Sequence, residues 1–185
     1  GVPPGSFADL EVISQLGRGT ETIVYRVRRQ GGEYALKVLP AADTGRSLTA
    51  VRREAALLGS VGHRLLPRIF EVGATAVGPY LILEYIDGSP LSQTLRYGRL
   101  DEDRAVQLAI DLVGPLTAAH RAGLVHRDVK PDNVIVEPAG TARLIDFGLA
   151  ARGGAPDDRG AGTPLYSAPE QTGMLKLPVD GRSDL

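Results

Sequence analysis

The chain has 185 residues, 43% of them hydrophobic and 23% charged, a soluble globular composition with length for one sizeable core or two small lobes. A formal net charge of -1 argues against a general nucleic-acid or anionic-membrane surface, and the absence of cysteine excludes disulfides and thiolate metal sites. No apolar run approaches the roughly 20 residues of a membrane span and the N-terminus carries no signal-peptide pattern, so the expected location is cytoplasmic, as a whole protein or as part of a larger one.

Residues 1–9 begin rich in Gly and Pro and read as a linker or tail. Apolar residues then come at mixed spacing from Leu10 to Leu16, before Gly17-Arg-Gly19, and Ile23-Val-Tyr-Arg-Val27 restarts a strand. Two strands joined by a glycine-bearing turn can lay backbone N–H groups over phosphates, because glycine lets the backbone approach closely. An ordinary hairpin is the plainer reading of Gly-x-Gly taken alone.

Tyr34-Ala-Leu-Lys-Val-Leu39 is a strand with Lys37 inside an apolar run, where an ammonium must snorkel to solvent or find an anion. Residues 47–58 read as a helix stopped by Gly59, with Val51, Ala55 and Leu58 on one stripe. Glu54 lies beside that stripe, and a half-buried glutamate and a half-buried lysine satisfy each other. Residues 66–72 and 80–84 add two strands, for a small antiparallel lobe of five strands and one helix.

From Asp101 the chain turns helical, with Asp101 as the cap before an acidic first turn. Val106, Ile110, Val113 and Thr117 share one side, with Leu108, Leu112 and Leu116 beside it, so this helix is expected to pack inside a larger lobe. A helix-interior proline costs on the order of 3 kcal/mol, so Gly114-Pro115 is expected to kink it, and Gly123 to end it.

The densest chemistry follows. Leu124–Val125 and Val134–Val136 read as strand pieces around a polar loop in which Asp128 and Asn133 stand five residues apart, with Lys130 between them. Asp146 leaves a further strand in Leu144-Ile-Asp-Phe-Gly148. Singly, such residues are turn or cap residues. Together, a carboxylate, a cation and two oxygen ligands on neighbouring loop ends suit phosphoryl transfer.

His126-Arg-Asp-Val-Lys-Pro-Asp-Asn133, Asp146-Phe-Gly148 and Ala168-Pro-Glu170 resemble, in order and spacing, the signature set of the protein kinase superfamily. The likeness runs from about Leu10 to the last residue. Val129-Lys-Pro-Asp-Asn133 and Tyr166-Ser-Ala-Pro-Glu-Gln171 are similar in style to bacterial serine/threonine kinases of the eukaryotic type. The resemblance implies an α+β, bilobal fold. A five-stranded antiparallel N-lobe with one helix would cover residues 10–86. A mainly helical C-lobe would cover 87–185, incomplete and stopping at the start of its central helix.

The same resemblance implies roles residue by residue. Gly17 and Gly19 would form the glycine-rich loop, with Thr22 in place of its third glycine, and Leu16 and Val24 would line the ATP site. Ala35, Glu84, Ile86 and Ile135 would complete that site, with Leu83 at its back. Lys37 would hold the α- and β-phosphates and Glu54 would fix Lys37. Asp128 would accept the substrate hydroxyl proton, Lys130 would offset charge on the transferred phosphoryl group, and Asn133 and Asp146 would bind Mg2+. Thr163 would position the substrate. Phe147, His126, Leu58 and Ile69 match the apolar spine, Asp184 matches the aspartate that braces the catalytic-loop backbone, and Glu170 would lack its usual arginine.

Lys130 and Gly162-Thr-Pro164 imply a serine/threonine kinase rather than a tyrosine kinase or a small-molecule phosphotransferase. The complete set of Lys37, Glu54, Asp128, Asn133 and Asp146 favours an ATP- and Mg2+-dependent enzyme of signal transduction over the alternative, a nucleotide-binding pseudokinase module. Between Gly148 and Thr163 there is no Ser, Thr or Tyr. Asp157 or Asp158 could supply a constitutive charge to Arg127 there, although a solvated loop around Gly153-Gly154 is the plainer reading. The expected partners are a protein substrate and further C-terminal domains, with no nucleic acid. The 185-residue piece by itself is expected to be poorly stable and nearly inactive, with the apolar face around Val106 and Leu116 partly exposed.

Overall fold

The computed structural model describes residues 9–19, 22–39, 47–147, 151–152 and 165–185. Strands β1 (Glu11–Arg18), β2 (Ile23–Arg29), β3 (Gly32–Val38), β4 (Ile69–Ala74) and β5 (Pro79–Glu84) form one antiparallel sheet in the order β1-β2-β3-β5-β4. The β2–β3 hairpin turns on Gln30 and Gly31, at φ 49 and 79, the double-positive geometry of a two-residue turn that matches strand twist.

Register then sorts the side chains. Tyr25 pairs with Leu36, Ile23 with Val38, and Leu36 with Ile82. Tyr25, Val27, Leu36, Val38 and Ile82 therefore share one face, and they form the buried core of this sheet. Each contributes about 1.5–3 kcal/mol by leaving water. Because strands alternate with a period of two, Val24, Ala35, Lys37, Leu81 and Leu83 fall on the other face.

Helix α1 (Leu48–Val61) begins where Ser47 Oγ accepts from the Ala50 amide at 3.2 Å, and it buries Val51 and Ala55. Gly59 does not stop it. The helix continues to Val61, and the left-handed exit comes at Gly62, φ 60. A glycine inside a helix costs only about 1 kcal/mol relative to alanine, so composition alone does not mark the end. The expected strand at residues 66–72 also starts late, at Ile69, because the Leu66 amide closes a turn onto His63 O and Pro67 has no amide proton.

The chain divides into two compact units, Gly1–Gly59 with Pro67–Ile86, and Ser60–Leu66 with Asp87–Leu185. The second unit contains β6 (Ser89–Pro90), α2 (Leu91–Leu95), α3 (Glu102–Arg121), β7 (Leu124–Val125), β8 (Val134–Val136), β9 (Ala142–Leu144) and β10 (Ala151–Arg152). Short 3-10 turns cover Pro131–Asn133 and Gly181–Asp184. Strands β6, β8 and β9 make one small antiparallel sheet, and β7 pairs with β10.

Asp101 caps α3 through Oδ1, which accepts from the Arg104 amide at 2.8 Å. One stripe of α3, including Leu108, Pro115, Leu116 and Ala119, is buried. Val106, Ile110 and Val113 instead remain 53%, 61% and 51% exposed, so packing is one-sided. Pro115 lies inside an unbroken 20-residue helix. It offers no amide to the Asp111 carbonyl one turn earlier, while the Asp111 side chain reaches out and accepts from Ala142 N at 2.8 Å, tying α3 to β9.

Gly88, at φ 153, lets β6 approach β8. A Cβ there would lie 2.5 Å from Val136 O and 2.8 Å from Ile135 Cγ2. Gly88→Ala is expected to lower the unfolding free energy by about 1–3 kcal/mol, measured by urea denaturation; an unchanged midpoint would show that β6 is not held against β8.

Candidate active site

The polar loop between β7 and β8 is held from several sides within the second unit. Asp184 has its side chain wholly out of solvent. Its Oδ2 accepts from the His126 amide at 2.8 Å and its Oδ1 from the Arg127 amide at 2.7 Å. His120 Nε2, at the end of α3, donates to the same Oδ2 at 2.7 Å. Arg127 adopts φ 67, a left-handed conformation that costs a non-glycine residue about 1–3 kcal/mol and persists only where its surroundings over-determine it.

His126 is buried and cannot serve as the proton acceptor. Its Nδ1 accepts from the Asp128 amide at 3.2 Å, so the proton sits on Nε2, which donates to Ile145 O at 3.0 Å. Burial pushes its pKa below the ordinary imidazole value and keeps the ring neutral. The ring packs edge-on against Phe147 with centroids 4.4 Å apart.

Asp128 is half-buried, and its Oδ2 receives both Lys130 Nζ at 2.7 Å and Asn133 Nδ2 at 3.1 Å. Asn133 Nδ2 also donates to the Asp128 carbonyl at 2.8 Å. The carboxylate is thus aimed by one cation and one amide, both anchored in the turn that follows. Asp146 is brought alongside by β8–β9 pairing, in which Val134 faces Leu144 and the Ile145 amide donates to Asn133 O at 2.9 Å. Like Arg127, Asp146 is left-handed, at φ 64.

Asn133 spends its amide nitrogen on Asp128, which leaves Oδ1 as its oxygen donor, and Asp146 contributes a carboxylate. Hard oxygen donors of this kind fit Mg2+, which takes one or two protein ligands and fills its shell with substrate phosphates and water. Among the described residues, no group of three or more His, Cys, Asp or Glu side chains could hold a metal alone.

In the first unit, Gly17 pairs with Val24, Val24 with Lys37, Lys37 with Leu81, and Ala35 with Leu83, all on the face opposite the sheet core. Leu16, just before Gly17, is exposed. The Gly19 amide donates to the carbonyl of Thr22, the residue standing in place of the pattern's third glycine, at 2.8 Å. Lys37 is buried and Glu54 half-buried on α1. Glu84 exchanges two bonds with Arg68, its amide donating to Arg68 O and its Oε2 accepting from Arg68 N, and Ile86 is buried.

Ile135 belongs to the second unit, where it pairs with Arg143 and Pro90. Leu58 and Ile69 are half-buried in the first unit. Thr163, Asp157 and Asp158 lie outside the described residues.

The protein kinase domain family matches residues 10–182. The chain belongs to the protein kinase family. It is 38% identical, over its whole length, to a serine/threonine-protein kinase of Myxococcus xanthus, covering 28% of that protein. It is 36% identical over 92% of its length to a probable serine/threonine-protein kinase of Streptomyces coelicolor, covering 27% of it. A putative CBL-interacting protein kinase of Oryza sativa is 37% identical over 91% of the chain, with 35% of that relative covered. The chain therefore spans about a third or less of these curated relatives. No helix among the described residues is long and apolar enough to cross a membrane.

Two residues of this kinase chain to which the motifs gave no role, His120 and Gln171, support the loop. His120 reaches Asp184 because Gly181 has no side chain; a Cβ there would sit 2.8 Å from His120 Nδ1. Gln171 is buried, and its Nε2 donates to Arg127 O at 2.8 Å. Glu170 accepts from Ser183 Oγ beside it. Gly181 was the one available signal, and it marks a close approach only once the fold is known.

Asp184→Asn would keep the shape but turn an amide N–H toward one of the donors it now accepts from. Charge-assisted bonds of this kind contribute about 1.5–3 kcal/mol each. The expected loss of unfolding free energy is at least about 2 kcal/mol by urea denaturation, and a loss under about 0.5 kcal/mol, the range of ordinary surface changes, would remove Asp184 as the brace.

Proposed function

We propose that the full protein is a serine/threonine protein kinase that transfers the γ-phosphoryl group of ATP to Ser or Thr hydroxyls of a protein substrate. The observation that carries this reading is the aim of Asp128, whose Oδ2 is fixed by Lys130 and Asn133 in a loop of strained, fully anchored backbone. In the reaction the hydroxyl oxygen forms a bond to the γ-phosphorus, the bond from γ-phosphorus to the bridging oxygen breaks, and ADP leaves. Asp128 orients the hydroxyl and takes its proton, while Lys130 offsets charge on the moving group. Mg2+, held by Asn133 and Asp146, would neutralise charge on the phosphates when bound.

Residues 10–86 serve on this reading as the N-lobe and 87–185 as part of the C-lobe, with 1–9 a tail. Lys37 binds the α- and β-phosphates and pairs with Glu54, which matches its burial, since a lysine out of water needs an anion. Leu16, Gly17, Gly19, Val24, Ala35, Glu84, Ile86 and Ile135 line the nucleotide, and Thr163 positions the substrate. The names of the relatives support the serine/threonine assignment. The protein works in the cytoplasm, in signal transduction, with further domains C-terminal to this chain.

The test is ATP-dependent autophosphorylation of the full protein with Mg2+, beside Asp128→Asn. Removing a general base costs about 10²–10⁴-fold, so incorporation should fall at least about a hundredfold while ATP binding is retained. ATP binding without incorporation in the unaltered protein would overturn the enzyme reading in favour of a pseudokinase.

A further inference from the structure

The peptide joining Arg127 to Asp128 is gripped at both of its polar atoms. Its N–H, on Asp128, donates to His126 Nδ1 at 3.2 Å, and its carbonyl, on Arg127, accepts from Gln171 Nε2 at 2.8 Å. The peptide before it is held through the Arg127 amide by Asp184. Gln171 is 4% exposed and uses both ends of its amide, because Oε1 accepts from the Ala168 amide at 3.1 Å. Its backbone amide closes the same turn onto Ala168 O at 2.9 Å.

A primary amide donates to a carbonyl and accepts from an amide at once, and does so without charge across the whole pH range. A carboxylate at this site would oppose the Arg127 carbonyl, and an apolar chain would leave a buried donor and a buried acceptor unmet, the costly direction for a hydrogen bond. The turn that carries Gln171 contains Ala168-Pro169-Glu170, 44 residues along the chain from Arg127.

We propose that Gln171 is a positioning residue for phosphoryl transfer, a latch that fixes the plane of the Arg127–Asp128 peptide and so couples the placement of the Asp128 carboxylate to the Ala168–Glu170 turn. The inference rests on the kinase reading above for its consequence on rate, and on geometry alone for the latch. Without the bond from Gln171, the left-handed Arg127 loses the anchor on its carbonyl side, and Asp128 samples orientations in which its carboxylate is misaimed.

The experiment uses the full protein in three forms: unaltered, Gln171→Met and Gln171→Glu. Both changes keep side-chain length, and thermal midpoints report that each form folds. Gln171→Met is expected to lower the maximal autophosphorylation rate about tenfold, with KM for ATP changed less than about twofold, the split expected of lost transition-state alignment. Its rate relative to the unaltered protein should not vary between about pH 6 and pH 8, because it introduces no titrating group.

Gln171→Glu should be slow at about pH 8 and recover toward the unaltered rate near pH 6, because a buried carboxyl has a raised pKa and, once protonated, donates to the Arg127 carbonyl. The charged residues it adjoins, in sequence or through bonds, are Glu170, Arg127 and, beyond Arg127, Asp128 and Asp184. Amide hydrogen exchange over residues 124–136 should quicken severalfold in Gln171→Met whether or not any form transfers phosphate.

A Gln171→Met rate equal to that of the unaltered protein, or a pH-independent deficit in Gln171→Glu, overturns the positioning role. Unchanged exchange overturns the latch itself. If the unaltered protein transfers no phosphate, the kinase reading fails, and the exchange contrast alone decides whether the latch exists.

Discussion

Asp184 is a charged side chain entirely removed from water, an arrangement that costs several kcal/mol unless donors surround it. Its donors are the His126 and Arg127 amides and the His120 ring. The same three bonds join the end of α3, the start of the polar loop between β7 and β8, and the 3-10 turn near residue 184. The placement of Asp128 follows from this junction, because the Arg127 backbone is unfavourable in isolation and is retained only where both neighbouring peptides are anchored. Breaking any one anchor leaves a buried polar group unmet as well as a strained residue released.

The first unit solves a different problem, how to keep a lysine out of water without disturbing a core. Antiparallel register does this with the period of two. Residues 25, 27, 36, 38 and 82 converge on one face and stay dry, while Lys37 and its cross-strand neighbours Val24 and Leu81 share the other. A one-residue slip would carry Lys37 into the apolar cluster, so the hydrophobic pattern of β2, β3 and β5 also specifies where the cation points.

Local signals were legible in the residues. Asp101 caps its helix, Gly123 turns out of it at φ 77, and the β7–loop–β8 pattern with Asp128, Lys130 and Asn133 stands where spacing put it. The misplacements were also local and have a physical cause. Gly59 carried a stop signal but sits in ordinary helix, because helix ends are set by the residue that turns left-handed, here Gly62, and not by composition. What could not be read were the roles of His120 and Gln171, an ordinary helix-end imidazole and an ordinary polar residue after a proline turn. Each acquires meaning only from a partner 64 or 44 positions away. Proximity of that kind is a property of the assembled fold.

Those separations bear on how the site forms. The Asp184 bonds to the loop span 58 and 57 residues, and the Gln171 bond spans 44. Closing loops of this size costs chain entropy before any bond returns it, and the cost grows only slowly with length, at about 0.6 kcal/mol per doubling. Local elements such as the α3 cap and the β2–β3 hairpin can form early, whereas the aimed Asp128 must wait for the segments around Gln171 and Asp184 to dock. The geometry around Asp128 is therefore among the last features to be completed. Its precision is a readout of whether the turn at 168–171 and the turn at 181–184 are both in place, which makes the loop sensitive to the structural state of distant sequence even though its own residues never change.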